Sequence, residues 1–409
     1  MGDHRWLVSQ IGARQHYAVP LGFHFKGALR HFYTDAWCSF GRSLMLRGPG
    51  QLRSFAGRYH PHLPSSKVTS YNLKNTADLL VNRAPKTVEQ KHEQYLRIGE
   101  WFAKRVAKSI ERLDVIPGVD CFFGFDTGCL ETLQVAKSRG IKTIVDQIDP
   151  AKVEEDLVFE ESQKWPGWTT LSGRIQPEYW NRLAAEWATA DRVLVNSQWS
   201  KDALIKQGVP DSKLIVVPLA YEPDLRFTFP RPRHDRPLHV LWLGSVNLRK
   251  GIQYLVEAAR LLIDSSIQIT IAGPLDISED AVRTAPVNMK FIGRVTRDRS
   301  RDVYRSADVF VLPTLSDGFA VTQVEAMGYG LPVITTPNCG EVVTHGVDGL
   351  IVPPFDSKSL ATAIASLDAD RSMLANMSVH ATRKVLQYHL PRQAEQVDEA
   401  VKELFRESS

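Results

Sequence analysis

Two stretches of this chain combine residue types that could do chemistry. In Gly244-Ser-Val-Asn-Leu-Arg-Lys-Gly251 a strand ends in glycine, and a short polar loop carries Arg249 and Lys250 to the start of a helix. A helix N-terminus offers free N–H groups and a partial positive charge, so two fixed cations beside it suit a phosphate or diphosphate. The competing reading is a pair of solvated loop charges. Gly251 follows the lysine, which argues against a P-loop, and no G-x-G-x-x-G follows the first strand of either half, which counts against a dehydrogenase.

The second stretch runs from Pro313 to Gly330. A turn holds Asp317 and Gly318, a helix is predicted from near Phe319, and Glu325 lies eight positions beyond Asp317. N–H groups at Phe319 and Ala320 make a second anion cradle, Asp317 can accept hydrogen bonds from sugar hydroxyls, and Glu325 can take a ribose diol. Alternatively Asp317 is a helix N-cap and Glu325 a surface carboxylate.

These loops must be held by a regular frame. The pattern after the first 238 residues alternates strand and helix: His239 to Gly244, a helix from about Gly251, Ile267 to Gly273, Lys290 to Gly293, Val309 to Pro313 and Pro332 to Thr336. Strands apolar on both faces and separated by helices predict parallel βαβ units. The first half repeats this grammar at Trp6 to Ile11, Cys121 to Phe125, Lys142 to Asp146 and Arg192 to Asn196, with a long helix from Thr87 to Leu113 opened by a Thr87/Gln90 capping box. Between the halves, Pro218, Pro223, Pro230, Pro232 and Pro237 mark a linker. The expected organisation is an N-terminal Rossmann-like domain over 1–218, a Pro-rich linker over 219–237, a second such domain over 238–390 and a C-terminal helix over 391–409, free to pack on either. Two doubly wound domains facing a central cleft place ligands beyond the carboxyl ends of the strands.

Composition fits a soluble globular protein: 409 residues, 43% hydrophobic, 23% charged, formal net charge +4. That small charge gives no support to an extended nucleic-acid track. Cys38, Cys121, Cys129 and Cys339 lie far apart without a CxxC pair, so reduced, mostly buried thiols are expected and no zinc cluster. The Met-Gly-Asp-His-Arg-Trp start has no apolar secretion core, and Trp6 stands where a myristoylation signal needs Ser or Thr. The expected location is the cytoplasm.

From about Glu186 to Pro353 the ordered motifs resemble the retaining glycosyltransferases of family 4, also called glycosyl transferases group 1. The stretches that carry the resemblance are Ala190-Asp-Arg-Val-Leu-Val-Asn-Ser197, Leu214-Ile-Val-Val-Pro218, Gly244 to Gly251, Ala307-Asp-Val-Phe-Val-Leu-Pro313, Asp317-Gly-Phe-Ala with Glu325-Ala-Met, Gly330-Leu-Pro-Val, and Asp348-Gly-Leu-Ile-Val-Pro353. The resemblance implies the two-domain GT-B fold, a UDP- or GDP-linked sugar as co-substrate with no cofactor or essential metal, and retention of anomeric configuration. Lys250 matches the lysine on the donor diphosphate, and Glu325 the second glutamate of the E-x7-E motif, on the nucleotide ribose. Asp317 holds the first acidic position, which usually is Glu and faces the donor sugar; Lys250 and Asp317 are thus the expected catalytic residues. Ser245 stands where many members place an arginine on the phosphates, a role open to nearby Arg249. Gly318, Phe319 and Ala320 form the N–H turn, with Ala320 in place of a common glycine. Gly293-Arg294-Val295 resembles the turn against the nucleobase. Gly12-Ala-Arg-Gln-His16 resembles the family's glycine loop, and Asp146-Gln-Ile-Asp-Pro150 lacks the histidine that many members carry near the donor sugar.

The expected reaction moves a hexose to a hydroxyl of a glycan or lipid-linked acceptor in bacterial-type polysaccharide or glycoconjugate synthesis. A non-catalytic nucleotide-sugar-binding module and a GT-B phosphorylase or epimerase are the alternatives. Between residues 21 and 62, six cations (Lys26, Arg30, Arg42, Arg47, Arg53, Arg58) face Asp35 alone, interleaved with Phe23, Phe25, Phe32, Tyr33, Trp37 and Phe40. Two readings stand: a peripheral contact with an anionic membrane or acidic glycan at the inner membrane face, or a folded region whose aromatics are core. Trp165, Trp168, Tyr179 and Trp180 likewise read either as a sugar-stacking platform or as helix packing.

Overall fold

The computed structural model describes residues 4–48, 50–72, 85–112, 118–221 and 236–406. Most of the Pro-rich linker, with Pro223, Pro230 and Pro232, lies outside the described residues, as does Leu113. The first half forms seven parallel strands: β1 (Trp6–Gln10), β2 (Leu29–Thr34), β3 (Val68–Ser70), β4 (Cys121–Phe125), β5 (Lys142–Gln147), β6 (Arg192–Val195) and β7 (Leu214–Val216). Their order is β3-β2-β1-β4-β5-β6-β7. The second half forms β8 (His239–Leu243), β9 (Gln268–Ala272), β10 (Met289–Gly293), β11 (Val309–Leu312), β12 (Val333–Thr335) and β13 (Gly349–Ile351), ordered β10-β9-β8-β11-β12-β13. All pairs are parallel; Trp6 stands opposite both Leu29 and Cys121, and Phe310 opposite both Leu241 and Val333. Each sheet reverses its direction of growth once, between β1 and β4 and between β8 and β11, and these are the points where a cleft opens for ligands.

Alternation along the strands explains why both faces are covered. In β1, Trp6 and Val8 enter one core with Phe23, Phe32 and Trp37, while Leu7 enters the other with Tyr33, Phe102 and Phe122. The helix Val88–Glu111 supplies Phe102, Val106 and Ile110 to that second core. At its start the Thr87 hydroxyl accepts from Gln90 N–H at 3.1 Å, and the Gln90 side chain accepts from Lys86 N–H at 2.9 Å, one residue ahead of the usual capping-box partner. The four cysteines are free and buried.

Two segments cross the boundary drawn at residue 218. The helix Leu390–Arg406 lies on the first domain, where Leu390, Ala394, Val397, Val401 and Leu404 join the core and Trp6 Nε1 donates to Asp398 at 3.3 Å. In the other direction, the helix Lys152–Lys164 leads into Trp165 and Trp168, which pack in the second domain's core. Ser278 N–H donates to the Trp168 carbonyl at 2.9 Å, and the buried Glu161 carboxylate accepts from Tyr254 Oη at 2.9 Å. Tyr179 and Trp180 pack instead against the first domain, so the four aromatics form no single stacking platform. Between residues 21 and 62, Phe23, Phe32, Tyr33 and Trp37 are core, whereas Phe25 and Phe40 are exposed.

Candidate active site

Lys250 is delivered by the tight turn that follows β8. The Asn247 side chain accepts from Lys250 N–H at 3.1 Å and caps the turn Leu248–Lys250. Gly251 then takes φ 72° to start the helix Ile252–Leu261, and a Cβ there would lie 1.8 Å from the Pro313 carbonyl oxygen, so only glycine fits. That close approach sets the turn after β8 directly on the turn after β11. The Lys250 ammonium meets the Asp317 carboxylate, and the Arg249 guanidinium lies 3.5 Å from the same carboxylate. The two cations and the first acidic position therefore share one small volume at the switch point of the sheet.

A fourth charged group arrives from the first half of the sequence. Glu154, on the helix Lys152–Lys164, lies 3.5 Å from Arg249 and accepts from the Ser316 hydroxyl at 2.9 Å; Ser316 also accepts from Trp199 Nε1 at 3.1 Å. Burial raises the Glu154 carboxyl above its ordinary range, with Arg249 opposing. Burial and then Arg249 lower the Lys250 ammonium to about 7, Glu154 opposing, and the contact with Asp317 also favours the charged form. Gly318 closes the gap between domains: a Cβ there would lie 2.1 Å from the Ile148 carbonyl oxygen.

The turn after β11 differs from expectation in detail. The helix begins at Val321, with Ala320 left-handed at φ 58° ahead of it, and the Ala320 N–H donates to Asp317 Oδ1 at 3.2 Å. Its N–H is therefore already held, and the two-donor cradle expected at Phe319 and Ala320 is not free in this arrangement. The Phe319 ring is buried and stands edge-on to Tyr388. Glu325, half-buried one turn along that same helix, accepts from Tyr304 Oη at 2.8 Å, which fixes its carboxylate instead of leaving it on the surface. Ser245 is half-buried in the Lys250 loop; Arg294 is exposed after β10, and Val295 packs on the core.

The matching end of the first sheet is also polar. Gly12 N–H donates to Asp35 at 2.8 Å, Arg14 pairs with Asp126 at 2.7 Å, and Gln147 Nε2 donates to Asp126 and Asp149. Gln15, His16 and Tyr17 all have positive φ, an unusual run for residues with side chains and a strained one. Arg14, Asp35, Asp126 and Asp149 also line a cavity of about 730 Å³, together with Arg58 and Tyr179 among others. No cluster of potential metal ligands occurs among the described residues.

Two Rossmann-like domains apposed through the switch points of both sheets define a GT-B protein, and solved structures with that architecture match it end to end. HepE of Anabaena, in complex with UDP, superposes with a TM-score of 0.65 at 15% identity, covering 98% of this chain and 100% of that one. In sequence, residues 237–370 match the family model described as Glycosyl transferases group 1. The chain is similar to the amylovoran biosynthesis glycosyltransferase AmsK of Erwinia amylovora, 28% identical over 198 residues that cover 44% of this chain and 48% of that protein. It is also similar to the uncharacterized glycosyltransferase MJ1607 of Methanocaldococcus jannaschii, 31% identical over 160 residues, 37% of this chain and 41% of that protein. The chain thus spans about half the length of the curated relatives it matches.

Asn247, Glu154 and Tyr304 were not singled out from sequence. Asn247 stood inside the motif as an N-cap type three residues ahead of Lys250, which was a usable signal. Glu154 and Tyr304 reach their partners across 95 and 21 residues, and no local pattern marks them.

Proposed function

We propose that this chain is a retaining glycosyltransferase of family 4 type that moves a hexose from a nucleotide-diphosphate sugar to a hydroxyl of a glycan or lipid-linked acceptor. The observation that carries this reading is the meeting of Lys250, Arg249 and Asp317 at the switch point between β8 and β11, the place where an α/β sheet holds a phosphate-bearing ligand. A diphosphate arriving there replaces Asp317 as counter-ion of Lys250, which releases the carboxylate toward the sugar. Glu325, oriented by Tyr304, faces the ribose. The acceptor occupies the cavity of the first domain, whose paired aspartates and arginines suit the donor and acceptor groups of a polyol.

In this mechanism the departing diphosphate itself takes the proton of the acceptor hydroxyl. The protein's task is to stabilise charge developing on that leaving group, and a preorganised cation or N–H donor does so without reorganisation. The complexes of HepE with UDP and with UDP and glucose support a UDP-linked donor. A Campylobacter jejuni relative, 26% identical over 160 residues, is named for a diphospho-undecaprenol acceptor, which supports a lipid-linked one here. Because Lys250 and Arg249 supply the positive charge, full activity in EDTA is the expected outcome, and its loss contradicts the metal-independent form of the proposal.

Incubation with a panel of nucleotide sugars, reading free nucleoside diphosphate with and without acceptor, tests the reading. Acceptor-dependent release is expected. Tight nucleotide binding without release across the panel and a range of acceptors identifies a binding module instead.

A further inference from the structure

A short stretch of the first domain exposes apolar groups that the rest of the fold would normally cover. Phe40 is 90% exposed and Leu44 78%, and Leu46 and Leu52 are close to half exposed. Single exposed apolar side chains are common, but a cluster of four on two short helices and their flanks marks a contact surface. Arg42, Arg47 and Arg53 are exposed on the same stretch, and Arg47 and Arg53 have no ion pair among the described residues. The sequence has no acidic residue between Asp35 and Asp78, and Asp35 is turned inward to the Gly12 N–H. The patch therefore presents apolar and cationic groups with no carboxylate between them.

We propose that Phe40, Leu44, Leu46 and Leu52, with Arg47 and Arg53, seat this chain on an anionic lipid bilayer. The charge pattern commits the surface to that occupant: apolar side chains enter the headgroup boundary while unpaired arginines meet anionic headgroups. A protein partner or a second copy of this uniformly cationic patch would have to neutralise it, and a second copy brings like charge. The position of the patch adds a reason. The same stretch continues into Gly50, Ser54, Phe55 and Arg58, which line the 730 Å³ cavity assigned to the acceptor. Seating the patch thus sets the cavity mouth at the lipid surface, where a lipid-linked acceptor presents its sugar; this purpose rests on the glycosyl-transfer reading, whereas the binding itself does not.

Flotation of the full chain with phosphatidylcholine vesicles, with and without phosphatidylglycerol, at low and high salt, tests the proposal. The chain is expected to float with anionic vesicles at low salt, to be released at high salt, and to remain behind with phosphatidylcholine alone. Removing each of Arg47 and Arg53 should lower the partition coefficient about fivefold. Phe40→Ser with Leu44→Ser should abolish flotation while circular dichroism and acceptor-dependent release from a soluble acceptor stay at wild-type values. A wild-type chain that stays at the bottom of the gradient with anionic vesicles at low salt overturns the proposal. So does a sedimenting dimer that the Phe40→Ser, Leu44→Ser pair dissociates, since the patch then faces a second copy. Nucleoside diphosphate release without vesicles reads the glycosyl-transfer proposal separately.

Discussion

Lys250, in the turn after β8, sits between the Asp317 carboxylate of the turn after β11 and a second cation, Arg249, so its counter-ion is exchangeable. Lys250→Ala is expected to lower kcat/KM about a hundredfold or more, the loss of one preorganised donor worth on the order of 3 kcal/mol. Steady-state kinetics decide; a variant within a few-fold of wild type removes the lysine from the mechanism. Tyr304 acts one step back, by holding the Glu325 carboxylate at 2.8 Å. Tyr304→Phe should raise the donor KM about tenfold with kcat nearly unchanged, the pattern of weakened ground-state binding through one charge-assisted hydrogen bond. A fall in kcat at constant KM would contradict that positioning role. Arg249, Lys250, Asp317 and Glu325 were legible because their turns are local: cations follow one strand end and the acidic pair sits at fixed spacing after another. Tyr304 and Glu154 were not, because their roles exist only once distant segments meet.

Strands buried on both faces announced themselves as apolar runs, and β4, β5, β8, β9 and β11 lie where those runs stand, within a residue or two at each end. β2 was hidden because Leu29–Thr34 carries Arg30 and His31 at half-buried positions, which broke the run and made its aromatics look like a basic loop. β3, β7 and β13 are three residues each, too short for any period to show. β5 carries a buried acid, Asp146, one residue before its end. Burial and then Asp126 push Asp146 up to about 8, Arg14 opposing. The folded chain keeps this proton to about pH 8, while the unfolded chain releases it near pH 4. The unfolded state therefore binds fewer protons across that window, and stability falls as pH rises through it. Asp146→Asn, which cannot ionise, should flatten that fall, leaving Tm little changed at about pH 5 and raising it at about pH 8 relative to wild type. Parallel Tm-against-pH curves in calorimetry would show that Asp146 is already ionised in the fold.

The two-domain plan followed from the Pro-rich break and the two repeats of strand and helix, but the ownership of segments did not. Amphipathic spacing told that Ala394, Val397, Val401 and Leu404 share a face, not which core receives it; only the fit against Trp6 and the helix Ala18–Phe25 decides that. Trp165 and Trp168 posed the same question with the opposite answer. Because those two indoles and Glu161 are fastened into the second domain, residues 152–170 are expected to move with it in any parting of the lobes, with the chain turning at Ala151, whose φ is 53°. Spin labels at Gln163 and Arg260 should keep their separation when UDP binds, while labels at Lys137 and Arg260 should not; a shift in the first pair contradicts this. On that expectation the moving jaw is smaller than the half of the sequence it comes from, and Glu154 keeps its place beside Arg249. A phosphate-bearing ligand would then reach Arg249 from beside Glu154 rather than by displacing it.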